Sequence, residues 1–246
     1  MNLLTTFCRA GASENTWDVY WRNGVQIQGL ITVAITASVA DPEIVAELSA
    51  LQWILEHRSV FGVSQAGKGL CLTVSAGAIK KLAKAAEKNG GLRESSLGKP
   101  HLFPYARFLG TRFVGADIQV SKDDSWIRPR ALNDVEELTI TEPLPEILDL
   151  KGVGVVALSE HALQQFAKRQ ANADREDLWR FLRKIATGGV RLANLDGERV
   201  QAMLNRYGTA GKVWVHDETK WAFVVVADGP IPVVTTAYAI RKSVAG

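Results

Sequence analysis

The segment Thr139–Gly152 constrains the fold most, because the order of strand-like and helix-like segments reverses across it. Before this segment, β-prone stretches come first and helices follow; after it, helical patterns precede three strand-like stretches. The segment contains two prolines and ends in glycine, which is typical of a boundary between domains. A chain of 246 residues is long enough for two ordinary domains. We therefore predict one domain over residues 1–145 and a second over residues 153–246.

The N-terminal half predicts an antiparallel meander followed by a long helix. The strand-like stretches, joined by short polar turns, are Leu3–Arg9, Thr16–Trp21 and Val25–Ser38. Asp41 is placed to cap the helix, and Pro42 suits its first turn. Apolar residues recur there at the spacing of a core-facing stripe: Ile44, Leu48, Leu51 and Leu55. The later predicted elements are strands at Gly69–Ser75 and Phe113–Val120, a helix at Ala76–Asn89 with lysines on its outer face, and a helical turn at Asn133–Leu138.

The C-terminal part predicts an α+β domain in which helices precede an antiparallel sheet. The predicted helices are Ser159–Ala171, Arg175–Ala186 and Asp196–Tyr207. The predicted strands are Lys212–His216, Trp221–Ala227 and Pro232–Ile240. The fold class is therefore α/β with a mixed sheet for the first domain and α+β for the smaller second domain.

The distribution of charge indicates a polyanionic partner. Residues 1–150 carry 15 basic and 17 acidic side chains, a net charge of −2, whereas residues 151–246 carry 14 basic and 9 acidic ones, a net charge of +5. A basic domain of this kind favours nucleic acid as the partner. The N-terminus has no basic segment followed by a long apolar core, and the longest nearly uncharged run, Val25–Ala40, is too short and polar to span a bilayer. Two cysteines fit free thiols in a reducing compartment, so we expect a cytoplasmic protein with no cofactor and no membrane partner.

Three motifs give the N-terminal half its family resemblance. AELSALQWIL and LTVSAGAIKKL resemble the first helix, and the fourth strand with its following helix, of the ribonuclease H-like fold, and VSKDDSW stands where that family has a polar or acidic catalytic loop. The resemblance covers roughly residues 1–140. It implies a mixed sheet of three meandering strands joined by two further strands, with helices between them.

Enzymes of that family use converging carboxylates to hold two divalent metals, which activate water and stabilise the departing oxygen. Here the resemblance places Arg9 at the first-strand acid and Ser75 at the acid after the fourth strand; Glu47 matches, and Asp123 or Asp124 is the later acid. It therefore implies a degenerate site that holds no metal. We consider two alternatives for Glu47: an ion pair with Arg9, or an early-turn glutamate favoured by the helix dipole.

The C-terminal motifs LSEHALQQFAKR and VVTTAY resemble small ribonuclease toxins of the BrnT and RelE-like kind, over about residues 155–240, although Gln165 replaces an arginine of the motif. The resemblance implies metal-independent RNA cleavage, which needs a base, an acid and a cation for the phosphate. The catalytic residues implied are His161, Arg169 and Tyr238, and the nucleic-acid-binding residues are Arg206, Lys212 and His216. His216 is an alternative second proton carrier, and a solvated or capping role for His161 stays open.

Three functions follow as hypotheses. The first is a ribonuclease that acts through the second domain, with RNA as the favoured substrate and an antitoxin as a protein partner. The second is a non-catalytic nucleic-acid-binding or regulatory protein built from two degenerate nuclease folds. The third is a protein–protein interaction or inhibitor module.

Overall fold

The computed structural model divides the chain into two compact units, residues 1–144 and residues 145–246. The structure describes residues 2–25, 27–58, 67, 69–89, 92–94, 97–129, 132, 134–169, 175–194, 211–227, 229 and 231–240. The second unit begins at Pro145 rather than at residue 153, because a hairpin that was not predicted from the sequence belongs to it.

The first unit is a six-stranded mixed sheet with three helices. Its elements are β1 (Asn2–Ala10), β2 (Thr16–Asn23), β3 (Ile27–Ile35), α1 (Pro42–His57), β4 (Leu70–Val74), α2 (Gly77–Lys88), α3 (Phe103–Gly110), β5 (Asp117–Val120) and β6 (Asp134–Ile140). The strand order is β5-β4-β1-β2-β3-β6. β1 to β3 form an antiparallel meander, whereas β4, β5 and β6 pair in parallel with β1, β4 and β3 respectively. This confirms the α/β fold class, and the order of the elements up to α2 is the one implied by the ribonuclease H-like resemblance.

Helix α1 is buried on nearly all sides. The four residues of its predicted stripe are at most 8% exposed, and every residue from Ile44 to Glu56 other than Trp53 is buried. α1, α2 and α3 share one hydrophobic core with sheet residues that alternate on a single face, among them Leu4, Val19 and Ile31. A polar side chain on α1 therefore has to find its partners inside the protein.

The start of α1 differs from the prediction. Asp41 has a left-handed backbone conformation, with φ of 53°, and its side chain makes no capping hydrogen bond. Its carboxylate instead lies 2.6 Å from Lys99 Nζ and 2.7 Å from His101 Nε2. The hydrogen bond from Lys99, and then the one from His101, hold the pKa of the Asp41 carboxyl below its usual range.

Two elements of the first unit were missed in the sequence. The predicted helical turn at Asn133–Leu138 is wrong: residues 134–140 form β6, in which Val135, Glu137 and Thr139 face solvent in alternation, and Asn133 lies outside the described residues. Helix α3 was not predicted. Its residue Phe108 makes an edge contact with Phe113 (centroids 6.0 Å apart), and β5 begins only at Asp117 rather than at Phe113.

The second unit is also a sheet with helices on one face. Its elements are β7 (Ile147–Leu150), β8 (Gly154–Leu158), α4 (Glu160–Arg169), α5 (Arg175–Gly188), β9 (Arg191–Leu192), β10 (Lys212–His216), β11 (Trp221–Val226) and β12 (Val233–Ala239). The strand order is β7-β8-β12-β11-β10-β9, antiparallel except for the parallel pair β8–β12. The predicted helix Asp196–Tyr207 lies outside the described residues.

Aromatic side chains bind the helices of this unit to its sheet. Phe166 on α4 stacks on Trp221 with ring centroids 4.8 Å apart and lies 5.5 Å from Phe223. Trp179 on α5 is only 2% exposed in the same core. These tryptophans pack the sheet against the helices. Among the described residues, no helix of the chain is long and apolar enough to cross a membrane.

Arg58 connects the end of α1 to the edge strand β6. Its guanidinium forms a bidentate ion pair with Asp134, 2.7 Å from Oδ1, and a second ion pair with Glu136. Trp53 Nε1 donates to the same Glu136 carboxylate at 2.8 Å. The Arg58 side chain is 27% exposed, so these contacts are partly shielded from water.

We expect Arg58→Ala to lower the free energy of unfolding by about 1–2 kcal/mol, because two partly buried carboxylates lose their cation. Chemical denaturation at neutral pH measures this change. Arg128→Ala, which removes a charge from an exposed side chain of the same unit, is the control. Equal denaturation midpoints for the two variants would contradict the assignment.

Candidate functional site

Glu47 lies at the centre of a buried hydrogen-bond network that joins α1 to β1 and to the β4–α2 junction. The side chain is 0% exposed. Its Oε1 accepts from Thr6 Oγ1 at 2.8 Å and from the Ser75 N–H at 2.6 Å. Its Oε2 accepts from Ser75 Oγ at 2.7 Å and from the Ala76 N–H at 3.0 Å. Both oxygens are therefore occupied by protein donors from β1 and from the β4–α2 junction.

Ser75 joins three elements at this point. Its hydroxyl donates to Glu47 and accepts from the backbone N–H of Cys8 at 3.3 Å. An acid at the same position would place two carboxylates in contact inside the core, where they would repel each other without a cation between them. Ser75 and Thr6 supply neutral donors instead. The network thus fixes α1 to β1 and to the start of α2 around one carboxylate.

Burial raises the pKa of the Glu47 carboxyl, and the hydrogen bonds from Ser75, Thr6 and Ala76 oppose that shift. Burial, and then the charge of Glu47, also raises the pKa of the neighbouring Cys8 thiol. A thiol held in its neutral form is a poor nucleophile and a poor metal ligand. The chemistry of this cluster is therefore that of a structural network.

Arg9 does not face Glu47. Side chains alternate across a strand, so Thr6 and Arg9 lie on opposite faces of the sheet. The Arg9 guanidinium donates to the Tyr20 hydroxyl at 2.5 Å and lies over the Tyr20 ring, 4.5 Å from its centroid. The hypothesis of a Glu47–Arg9 ion pair is wrong, and Thr6 is the first-strand residue that faces Glu47.

Asp123 and Asp124 follow β5 in a loop that packs elsewhere. Trp126 in this loop lies under the Arg22 guanidinium, 4.8 Å from the ring centroid, and its carbonyl accepts from Gln28 Nε2 at 3.2 Å. By strand alternation, Arg22 and Gln28 lie on the face of the sheet opposite α1.

Both acids are exposed. Hydrogen bonds from the Ser125 hydroxyl and then from the Ser125 N–H, which lies 3.0 Å from Asp123 Oδ1, lower the pKa of the Asp123 carboxyl. They do not converge with Glu47. In the described part of the chain, no three His, Cys, Asp or Glu side chains are grouped so as to hold a metal ion.

The predicted catalytic residues of the second unit are not brought together. His161 is exposed in the first turn of α4, which Ser159 caps by accepting from the Ala162 N–H at 3.1 Å. Tyr238 packs against the cluster of Val213, Val215, Ala222 and Val224 on the sheet face opposite the helices. The two predicted proton carriers therefore lie on different faces of the sheet. Arg169 ends α4, and its side chain lies outside the described residues.

His216 is a structural residue of the β10–β11 turn. It is 2% exposed, its Nδ1 lies 2.9 Å from Thr219 Oγ1, and it accepts from the Thr219 N–H at 3.2 Å. A Cβ added at Gly188 would lie 2.5 Å from His216 Nε2, so the ring is closed in by the end of α5. This burial contradicts a role for His216 in binding a polyanion. Lys212 is exposed at the start of β10, and Arg206 lies outside the described residues.

The prediction of site residues passed over the lysines of α2. Lys80, Lys84 and Lys88 follow one another at intervals of four residues, and Lys81 lies beside them; all are exposed except Lys80, which is half-buried. Ile79, Leu82 and Ala86 bury the other side of the helix. None of the four lysines forms an ion pair with an acid of the described residues. The sequence does indicate this basic surface, because the lysines recur on the outer face of an amphipathic helix.

A search of solved structures finds a similarity to ribonuclease H1 from the halophilic archaeon Halobacterium salinarum NRC-1, with a TM-score of 0.26 and 16% sequence identity, over 57% of this chain and 86% of that one. No protein-family model matches the chain, and neither does any curated protein.

We expect Glu47→Ala to lower the free energy of unfolding by about 2–4 kcal/mol, because the N–H groups of Ser75 and Ala76 cannot turn towards another acceptor. Glu43→Ala, which removes an exposed acid from the first turn of the same helix, is the control. Denaturation curves of the two variants measure the difference. If Glu47→Ala were no less stable than Glu43→Ala, the network would not stabilise the fold.

The raised pKa of Glu47 also predicts a dependence of stability on pH. Between the ordinary and the raised pKa, the folded protein binds a proton that the unfolded chain does not, so stability falls as pH rises through that window. Glu47→Gln removes the titrating group, and we expect the slope of stability against pH to flatten there. Denaturation midpoints measured across the acidic range test this. Parallel pH profiles for the two proteins would show that Glu47 does not titrate in that range.

Proposed function

We propose that the protein binds nucleic acid, and that its first unit does so without metal-dependent catalysis. The lysine row of α2, defined as Lys80, Lys81, Lys84 and Lys88, is the observation that carries the proposal. The excess of basic residues in residues 151–246 supports it. RNA is the favoured partner.

The spacing of the lysine row suits a phosphate backbone. A rise of about 1.5 Å per residue puts Lys80, Lys84 and Lys88 about 6 Å apart along the helix. Lysines on one face of a rigid helix contact successive phosphates without reading the bases, and binding of this kind weakens steeply with salt. Because the lysines lack acidic partners among the described residues, their charge is available to a ligand.

The hydrogen bonding of Glu47 supports the proposed absence of metal-dependent catalysis in the first unit. Two-metal cleavage needs several carboxylates with free oxygens directed at one point. Glu47 has both oxygens occupied by four donors, and Thr6 and Ser75 stand beside it in place of further acids.

A metal-independent ribonuclease is the second candidate function. It is favoured by one observation: His161 and Lys168 are exposed on α4 two helical turns apart and therefore on the same side of the helix. A histidine side chain is the commonest group for proton transfer to or from a hydroxyl, and a cation two turns away can hold the phosphate.

Binding to labelled single-stranded RNA and DNA at a series of salt concentrations tests the proposal. We expect Lys81→Ala combined with Lys88→Ala to weaken binding and to reduce the slope of log K against log salt by about 1.5, since two phosphate contacts are lost. Lys99→Ala combined with Lys220→Ala is the matched control, because these lysines already lie near Asp41 and Asp217. The proposal fails if both double variants bind like the unchanged protein, or if that protein does not bind.

The same RNA incubated with and without EDTA separates the two candidate functions. Binding without cleavage in either condition supports the first. Cleavage that persists in EDTA and is lost in His161→Ala supports the second, and cleavage that EDTA abolishes contradicts the proposed lack of metal catalysis.

A further inference from the structure

A cavity of about 380 Å³ lies between α2, the end of α3 and the start of β5. Its volume falls within the range of small-molecule sites, which is roughly 300–1,000 Å³. α2 contributes Lys80, Ala83, Lys84 and Glu87, and the other side is formed by Leu109, Phe113 and residues 115–118. Lys80 and Lys84 thus belong both to the lysine row and to the wall of this cavity.

Four charged side chains line the cavity: Lys80, Lys84 and Glu87 on α2, and Asp117 on the other side, whose carboxylate accepts from Gln119 Nε2 at 3.0 Å. Lys80 and Lys84 lie one helical turn apart on one wall, where both ammonium groups can contact a single anionic group. Neither pairs with an acid of the described residues, and Lys80 is half-buried, which makes an unpaired charge costly. Glu87, one turn further along, supplies a carboxylate that accepts from N–H groups.

We propose that this cavity binds one nucleotide unit, with its phosphate on Lys80 and Lys84 and the amino group of its base on Glu87. The base then lies against the apolar wall formed by Ala83, Leu109 and Phe113. Carboxylates accept from the exocyclic amine of cytosine, whereas uracil has no such donor. The inference rests on the proposed function and deepens it: the lysine row holds the strand, and the cavity takes one of its nucleotides.

Calorimetric titration of the full chain with CMP, UMP and inorganic phosphate tests the proposal. We expect CMP to bind more tightly than UMP, and phosphate to bind more weakly than either. Ala83→Leu fills the cavity and leaves every charge in place, so CMP affinity should fall at least tenfold. Ala85→Leu makes the same change on the same helix outside the cavity wall and should retain CMP binding. Glu87→Gln should remove the preference for CMP over UMP.

Several results would overturn the proposal: no binding of CMP at millimolar concentration, phosphate bound as tightly as CMP, or a folded Ala83→Leu variant with unchanged CMP affinity. Ala116→Leu fills the same cavity from the other wall and serves if Ala83→Leu does not fold. RNA binding that persists while CMP binding is absent refutes the cavity and leaves the proposed function intact. CMP binding without RNA binding refutes the proposed function alone.

Discussion

The first unit depends on a carboxylate that is removed from water and given four hydrogen-bond donors. Glu47 is placed in the interior because α1 is buried on nearly all sides. Once it is there, its charge is tolerable only if the surrounding backbone and hydroxyl groups replace its hydration. Thr6 from β1 and Ser75 and Ala76 from the β4–α2 junction do so, and each of these contacts also fixes the position of an element. Three elements of the unit thus bring donors together around one acid.

The sequence predicts the fold well where hydrophobic periodicity is strong. The stripe along α1 and the first three strands were visible because buried residues there recur at the period of their element. The sequence misled where polar residues are common: residues 134–140 include three acids, and only their alternation marks them as strand β6. Helix α3 is short and contains a proline near its start, so its pattern is too brief to detect.

The site was harder to predict because it depends on which face each residue occupies. An offset of three positions, from Arg9 to Thr6, reverses the face of the strand and replaces a cation with a hydroxyl donor. The interior position of His216 depends on the turn at Thr219 and on the end of α5, which are distant in sequence from each other. The lysines of α2, in contrast, are visible in the sequence, whereas the cavity beside them is formed with residues from α3 and β5 that lie far from them in the chain.

The pairing of β12 has a consequence for how the second unit is made. Among the described strands of its sheet, β12 lies between the hairpin β7–β8 and the strands β9 to β11 and joins the two halves. Val234 of β12 pairs with Leu158 of β8. β8 leaves the ribosome long before β12 does. During synthesis the β8 edge of the early hairpin therefore stays unpaired until residues 233–239 emerge. Such an edge invites pairing with other chains, so completion of this sheet is a late event that a nascent chain has to reach without aggregating.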